Sequence, residues 1–334
     1  MAGEVTLGLD VGGTKVLGLA VDALGAVLAE VRVPTPRRPG ATPSDDVLAE
    51  LVIAALASVV EQLQEQVADD VVAVGVGAPG LVSNDGLLHF APNLPGGTGL
   101  DVAGRLSARL GGLPTVVDND ATCATVGEWA HGAATGTSDA VLVTLGTGIG
   151  GGIVSGGRVL RGASGFAGEV GHMVVDPSGP PCPCGKRGCW ERFASGSGLG
   201  RLAREAAHAG RLDDVVDLAG GDPESVRGEH VTMAAKAGNA GALAVLTELG
   251  WWLALGLTNL ALALDPAVMV YGGGLVETVT LVLDAVQASF DDLLEGRAYR
   301  PPVLILPAQL GERAGAIGAA LVARPGDRYR AAEA

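Results

Sequence analysis

The stretch TLGTGIGGG, residues 144–152, sets Gly146, Gly148 and Gly151 in the G-x-G-x-x-G spacing of a dinucleotide-binding turn. An apolar run at 140–145 (AVLVTL) precedes it as a Rossmann strand would, and Glu169 follows roughly twenty residues on, where a ribose-binding acid belongs. The residues that come next decide against that fold. A Rossmann turn needs a helix opening on its third glycine, so that the helix N-terminus can hold a pyrophosphate. Residues 153–163, IVSGGRVLRGA, instead set β-branched and apolar residues around a Ser155-Gly156-Gly157 turn, with no helix start, cap or periodic face. The glycines belong to a hairpin.

The same arrangement stands near the start of the chain. Residues 5–10, 16–21 and 27–33 read as three short strands separated by glycine- and aspartate-rich turns. LGLD, VGGTK, VLGLAV, DALG and AVLAEV parallel VTLG, TGIG, GGIV, SGG and RVLRG. Such an internal duplication predicts two lobes facing each other across a cleft, each presenting a glycine turn to it. Between the repeats, Thr42-Pro43-Ser44 leads into a long amphipathic helix carrying Val47, Leu48, Leu51, Leu56, Val59, Val60 and Leu63. A strand at 71–76 runs into GAPG, and one from 115 to 117 runs into Asp118-Asn119-Asp120. The second repeat is followed by an irregular Cys-rich stretch (165–191), helical sequence over about 197–264, a strand at 267–271 running into Gly272-Gly273-Gly274, a strand at 302–306 and a small-residue helix at 315–323. The expected division is a small lobe of residues 1–118, joined by a C-terminal helix of about 312–334, and a large lobe of 119–311.

A length of 334 residues suits two such lobes of about 100 to 200 residues each. With 22 Lys and Arg against 37 Asp and Glu, the net charge of -15 disfavours nucleic acid and anionic membrane surfaces as partners. It does not exclude ATP, since a local nest of backbone N–H groups with a magnesium ion overrides the global field. No apolar run approaches the roughly 18 residues of a membrane span, and MAGEVTLGLD lacks the order of a secretion signal, so a soluble cytoplasmic protein is expected.

Asp10-Val11-Gly12-Gly13-Thr14-Lys15 is not a Walker A loop, because neither G-K-[ST] nor its eight-residue spacing occurs. Adjacent glycines between two strands can aim N–H groups at a phosphate, Thr14 adding a hydroxyl and Lys15 a charge, while Asp10 can hold magnesium directly or through water. An ordinary hairpin turn is the alternative; the second turn, Gly146-Thr147-Gly148, favours a pair of phosphate clamps. Asp118-Asn119-Asp120 precedes a helical stretch and reads either as an N-cap or as a base, Asp120, that accepts a hydroxyl proton during phosphoryl transfer beside a hydrogen-bonding Asn119. His172-x9-Cys182-x-Cys184-x4-Cys189 supplies three thiolates and one imidazole, the complement of a closed structural zinc site. A zinc there would pin Glu169 and Glu191 so that both can point into the cleft and hydrogen-bond sugar hydroxyls. His89, His131, His208 and His230 lack such company, and Trp251-Trp252 reads as packing.

Together these residues resemble the ROK sugar kinases (repressors, open reading frames and kinases), most closely their bacterial glucokinases. The resemblance covers Asp10–Lys15, Gly77-Ala78-Pro79-Gly80, Asn119-Asp120, residues 145–152, Gly168-Glu169, Gly171-His172, the Cys-x-Cys-Gly-x-x-Gly-Cys-x-Glu run from Cys182 to Glu191, and Gly272–Gly274. It implies an α/β fold of the actin-like ATPase (RNase H-like) type, duplicated into two lobes with a central cleft and a zinc-binding knuckle. It implies that Asp120 activates the sugar 6-hydroxyl and that Asn119, Glu169, His172 and Glu191 contact the sugar, with His172 also a zinc ligand and Asn93 touching the sugar from the small lobe. Gly12, Gly13, Thr14, Lys15, Thr147 and Gly148 would surround the phosphates, and Gly273 would lie near the adenosine. ATP, Mg2+ and a structural Zn2+ are the cofactors implied, glucose or a related hexose the substrate, and a homo-oligomer, dimer or tetramer, the assembly. The alternatives are kinases for mannose, fructose, N-acylmannosamine or N-acetylglucosamine, or a non-catalytic sugar sensor. The DNA-binding repressor branch is not expected, since only residues 1–4 precede the first strand.

Overall fold

The computed structural model describes residues 3–36, 44–91, 94 and 96–326. Its first part runs β1 (Glu4–Val11), β2 (Lys15–Val21), β3 (Val27–Pro34), α1 (Asp45–Gln66), β4 (Asp70–Ala78), β5 (Leu81–Val82), β6 (Leu88–Phe90), α2 (Val102–Arg109), β7 (Thr115–Asn119) and α3 (Asp120–His131). There follow β8 (Ala140–Leu145), β9 (Ile149–Ser155), β10 (Arg158–Val159), α4 (Glu191–Ala194), α5 (Gly196–His208), α6 (Asp213–Leu218), α7 (Gly228–Lys236) and α8 (Ala240–Leu264). The last elements are β11 (Val268–Gly272), α9 (Val276–Thr280), α10 (Leu283–Leu293), β12 (Leu304–Pro307) and α11 (Ala314–Ala323).

Two five-stranded sheets carry the same order, β3-β2-β1-β4-β7 and β10-β9-β8-β11-β12. In each, the earliest strand is central, its two successors lie on one side and two later strands on the other. The first sheet pairs β1–β2 and β2–β3 antiparallel but β1–β4 and β4–β7 parallel; in the second, β9–β10 is antiparallel and β11–β12 parallel. This repeat is the duplication expected from the glycine turns, and Ser155-Gly156-Gly157 does make the β9–β10 connection, with positive φ at both glycines.

β1 does not alternate between buried and exposed residues because both of its faces are covered: Val5, Thr6, Leu7 and Leu9 are all buried. On one face lies α11, whose ten residues are all buried. A Cβ on Gly8 or Gly75 would fall 1.8 Å from the carbonyl oxygens of Ala316 and Ala319, so only glycine lets that helix lie flush on the sheet. The small-residue sequence GAIGAALVA is the helix's side of the same contact. From α1, the side chains Val52, Ile53, Leu56, Val59, Val60 and Leu63 join the core, and Leu48 is buried as well. Val47 and Leu51, expected on that face, are instead 50% and 41% exposed, because the buried stripe runs through positions 48, 52, 56, 59 and 63.

By contacts, Met1–Leu142, Gly152–Gly168 and Gln309–Ala334 form one compact unit, and Val143–Gly151 with Glu169–Ala308 form another. The C-terminal helix thus groups with the N-terminal sheet. Residues 119–142, assigned from sequence to the large lobe, also group with the first unit, because α3 packs along α11. The helical sequence after residue 196 divides into α5 to α8, broken at Gly210, Gly220-Gly221 and Gly238, all at positive φ. α8, where no run of that length was expected, is long and apolar enough to cross a bilayer by length and composition, and half of its most apolar stretch is buried. Trp252 stacks on Phe193 with centroids 4.0 Å apart, as expected of packing, whereas Trp251 is 41% exposed. Thr42, Pro43 and Asn93 lie outside the described residues.

Candidate functional site

In the first unit, the turn between β1 and β2 is shaped by its backbone. The Gly12 N–H donates to the Lys15 carbonyl at 2.9 Å, while Thr35 donates its hydroxyl to the Gly12 carbonyl (2.6 Å) and its N–H to that of Thr14 (3.0 Å). Lys15, expected on a phosphate, directs its ammonium to the Glu312 carboxylate just before α11. Asp10 sits at the end of β1, largely buried. Burial and the like charge of Asp120 push its carboxyl up to about 7, with Lys15 opposing them. The unfolded chain loses this proton near 3.8 and the folded chain near 7, so stability falls as pH rises from about 4 to 7 and stays lower above it. A shift of that size corresponds to at most about 4 kcal/mol. Asp10→Asn should therefore raise the Tm at pH 8 in metal-free buffer and flatten the pH dependence of stability between 4 and 7. An unchanged pH slope would assign that dependence to other groups.

β7 ends in Asp118-Asn119, and α3 begins at Asp120. Asn119 is the N-cap: its Oδ1 accepts the Thr122 N–H at 3.0 Å, and its Nδ2 donates to the Gly80 carbonyl at 3.0 Å. The capping alternative therefore holds for Asn119, whose amide also fastens the GAPG turn. Asp120 Oδ1 accepts the Ala121 N–H at 2.8 Å. Two further residues fix this region and carried no local signal. Arg161 pairs with Asp118 through Nε (2.8 Å) and Nη2 (2.7 Å), both side chains about 10% exposed. Glu128, buried in α3, accepts the backbone N–H groups of Ala133, Gln309 and Leu310 at 2.7 to 3.1 Å, tying α3 to the approach of α11.

The second unit holds the Cys-rich stretch. His172 closes a short 3-10 turn, Val170–His172, and Cys189 pairs with Val174 through an isolated bridge. Ligand atoms of His172, Cys182, Cys184 and Cys189 all lie within 4.8 Å of one another. A tetrahedral zinc with bonds of about 2.3 Å to sulfur sets its ligands about 3.7 Å apart. Cys184 Sγ to Cys189 Sγ is 3.6 Å and Cys182 Sγ to His172 Nδ1 is 3.8 Å, so this donor set fits zinc in both chemistry and spacing. With Nδ1 turned to the cysteines, His172 Nε2 faces Glu169 at 3.9 Å, and Glu191 Oε1 lies 3.8 Å from Nδ1 and 3.0 Å from Cys182 Sγ. The Glu169 carboxyl is raised by burial and by Glu191, against the pull of His172. Trp190, fully buried, anchors the run by donating Nε1–H to the Trp252 carbonyl at 2.8 Å.

Two glycine turns belong to this unit. In Gly146-Thr147-Gly148, the Gly146 N–H donates to the Gly148 carbonyl (3.0 Å), and the start of α5 donates from Gly196 to the Gly146 carbonyl (2.8 Å). A Cβ on Gly148 would stand 2.5 Å from Glu191 Oε2, so the turn rests directly on one of the expected sugar-binding acids. Gly273, at φ +84, folds over the end of β8, where a Cβ would fall 2.7 Å from the Leu145 carbonyl oxygen. Thr147, Gly148, Glu169, His172, Glu191 and Gly273 thus share one unit, and Asp10, Gly12, Gly13, Thr14, Lys15, Asn119 and Asp120 share the other.

The sequence pattern of the ROK family matches residues 6–325. The chain belongs to the ROK family. A glucokinase from Streptomyces coelicolor is 39% identical over 326 residues, 97% of this chain and 98% of its own length. The crystal structure of a ROK family glucokinase from Streptomyces griseus, in complex with glucose and AMPPNP, has a TM-score of 0.81 and 39% identity, covering 96% of this chain and 100% of that one. An N-acetylmannosamine kinase from Citrobacter koseri is 40% identical over 200 residues, 60% of this chain and 64% of its own. The fold is accordingly the duplicated α/β architecture of the ROK kinases, an actin-like ATPase fold, and the Cys3His cluster fits a zinc knuckle.

Proposed function

We propose that this protein is an ATP-dependent hexose kinase that transfers the γ-phosphoryl group to the 6-hydroxyl of glucose. The observation that carries the reading is the contact between Gly148 and Glu191: a phosphate-type turn rests on a carboxylate that also touches the metal cluster, joining anion and polyol chemistry in one unit. His172 with Cys182, Cys184 and Cys189 would hold the zinc, whose contribution is to fix the loop that carries Glu169 and Glu191. Those acids and His172 accept and donate hydrogen bonds to sugar hydroxyls. Asn119 and Asn93 are assigned to the same sugar. Gly12, Gly13, Thr14, Thr147 and Gly148 surround the phosphates, the Gly12 N–H staying on the Lys15 carbonyl to shape its turn, and Gly273 borders the adenosine.

Asp120 is the base. Phosphoryl transfer asks little of a protein beyond positioning, charge neutralisation and a carboxylate for the acceptor's proton. The capped start of α3 holds that carboxylate, and its Oδ1 accepts the Ala121 N–H. Asp10 suits a magnesium ion, because a buried carboxyl repelled by a second one favours a cation or a proton, and the ion would neutralise charge developing on the phosphates.

ADP release measured over a panel of glucose, mannose, fructose, N-acetylmannosamine and N-acetylglucosamine tests the substrate. The reading expects the highest kcat/KM with glucose. A higher value with N-acetylmannosamine would move the acceptor toward the amino sugars, as the likeness to the Citrobacter koseri kinase allows.

A further inference from the structure

Lys15 closes the phosphate turn, yet its ammonium is held by Glu312, 297 positions away. Glu312 is shared: its other oxygen pairs with Arg32, Arg32 pairs with Glu30, and Glu30 pairs with Arg313 at 2.7 Å. Lys15 and Arg32 together hold the Glu312 carboxyl below its ordinary range. Three facts bear on what the Lys15 contact is for. The turn does not need it for shape, since Gly12, Thr14 and Lys15 are fixed by backbone bonds and by Thr35. The contact is cheap to open, because the two side chains are 45% and 48% exposed and such pairs contribute little. Opening it strands no charge, because Glu312 keeps Arg32.

We propose that Glu312 is an exchangeable counter-ion for Lys15, holding the ammonium when no nucleotide is present and yielding it to the polyphosphate of a bound nucleotide. A triphosphate carries several times the charge of one carboxylate and offers more acceptor oxygens, so it wins the ammonium when it docks on the turn. Until then Glu312 keeps Lys15 extended beside the turn and competes with weaker anions for it. Glu312 is thus a positioning residue that sets nucleotide affinity without touching the nucleotide. The inference rests on the kinase reading above.

Calorimetric titration with Mg·ADP and with a non-hydrolysable ATP analogue tests it in four proteins: wild type, Glu312→Gln, Lys15→Met and the double variant. Glu312→Gln should bind nucleotide about threefold to fivefold more tightly, the size expected when one exposed competing pair is removed. Lys15→Met should bind more weakly than wild type, and in that background Glu312→Gln should change nothing. Equal or weaker binding by Glu312→Gln would overturn the exchange. So would an equal gain in both backgrounds, which assigns the effect to the general field of a removed negative charge. If the wild type binds no nucleotide at all, the kinase reading falls and this inference with it. Nucleotide binding in the wild type without the Lys15-dependent gain overturns the exchange alone.

Discussion

Asp120→Asn is expected to lower turnover by about 10²- to 10⁴-fold, the range a general base contributes, while glucose affinity stays within a few-fold of wild type. The substitution keeps size and hydrogen-bonding shape. Asp120 is the first residue of α3, and its backbone is fixed from both sides: Asn119 caps the helix through the Thr122 N–H, and Asp118 is gripped by Arg161. An amide oxygen can still accept the Ala121 N–H, as Oδ1 does at 2.8 Å. What the amide lacks is the capacity to take a proton from a hydroxyl, so the loss should fall on kcat. The variant also removes a negative charge that raises the Asp10 carboxyl, so Asp10 should titrate lower in it. Wild-type turnover in Asp120→Asn would remove the residue from the role of base. A loss of glucose binding equal to the loss of turnover would make it a sugar ligand only.

Cys189→Ser should release the metal, taking zinc content from about one per chain to near zero, and should cut glucose affinity by more than about tenfold. Cys189 is fully buried and pairs with Val174, so its sulfur cannot be replaced by a solvent-facing group without opening the loop. A structural zinc supplies about 10 to 16 kcal/mol of folding free energy in a small zinc peptide. Here the loop has other supports, including the bond from Trp190 to the Trp252 carbonyl and that from the Trp190 N–H to the Met173 carbonyl at 2.8 Å. The expected result is therefore local: a Tm lower by several degrees, with the sheets intact by far-UV circular dichroism and Glu169 and Glu191 no longer fixed. Chelation of the wild type should reproduce it, and adding back zinc should reverse it. A metal-free preparation with full sugar affinity would contradict the bracing role.

Features close in sequence were legible, and features made by distant residues were not. The hairpin at Ser155-Gly156-Gly157 and the duplicated strand order follow from glycine placement and apolar runs, which act over a few residues. The metal cluster could be read because all four ligands fall between 172 and 189. Asp118 with Arg161, Glu128 with the backbone N–H groups of Gln309 and Leu310, and Lys15 with Glu312 could not, since the partners lie 43, 181 and 182, and 297 positions apart. The role expected of Lys15 was accordingly incomplete: spacing placed it at a phosphate turn, but only the fold brings Glu312 to meet it. The β5–β6 hairpin escaped notice because its strands are two and three residues long, too short for a period to register. In α8 the pattern misled differently. A helix apolar on nearly all sides gives no stripe by which to tell the buried face from the exposed Trp251.

The central claim is phosphoryl transfer from ATP to the sugar 6-hydroxyl, and the measurement that tests it most directly is 31P NMR of the protein with ATP, Mg2+ and glucose. The account predicts one new phosphomonoester resonance coupled to the two protons on C6, growing in step with ADP. Glucose and ATP both bound, with no ester formed and no ADP released, would contradict it and leave a sugar sensor in place of a kinase.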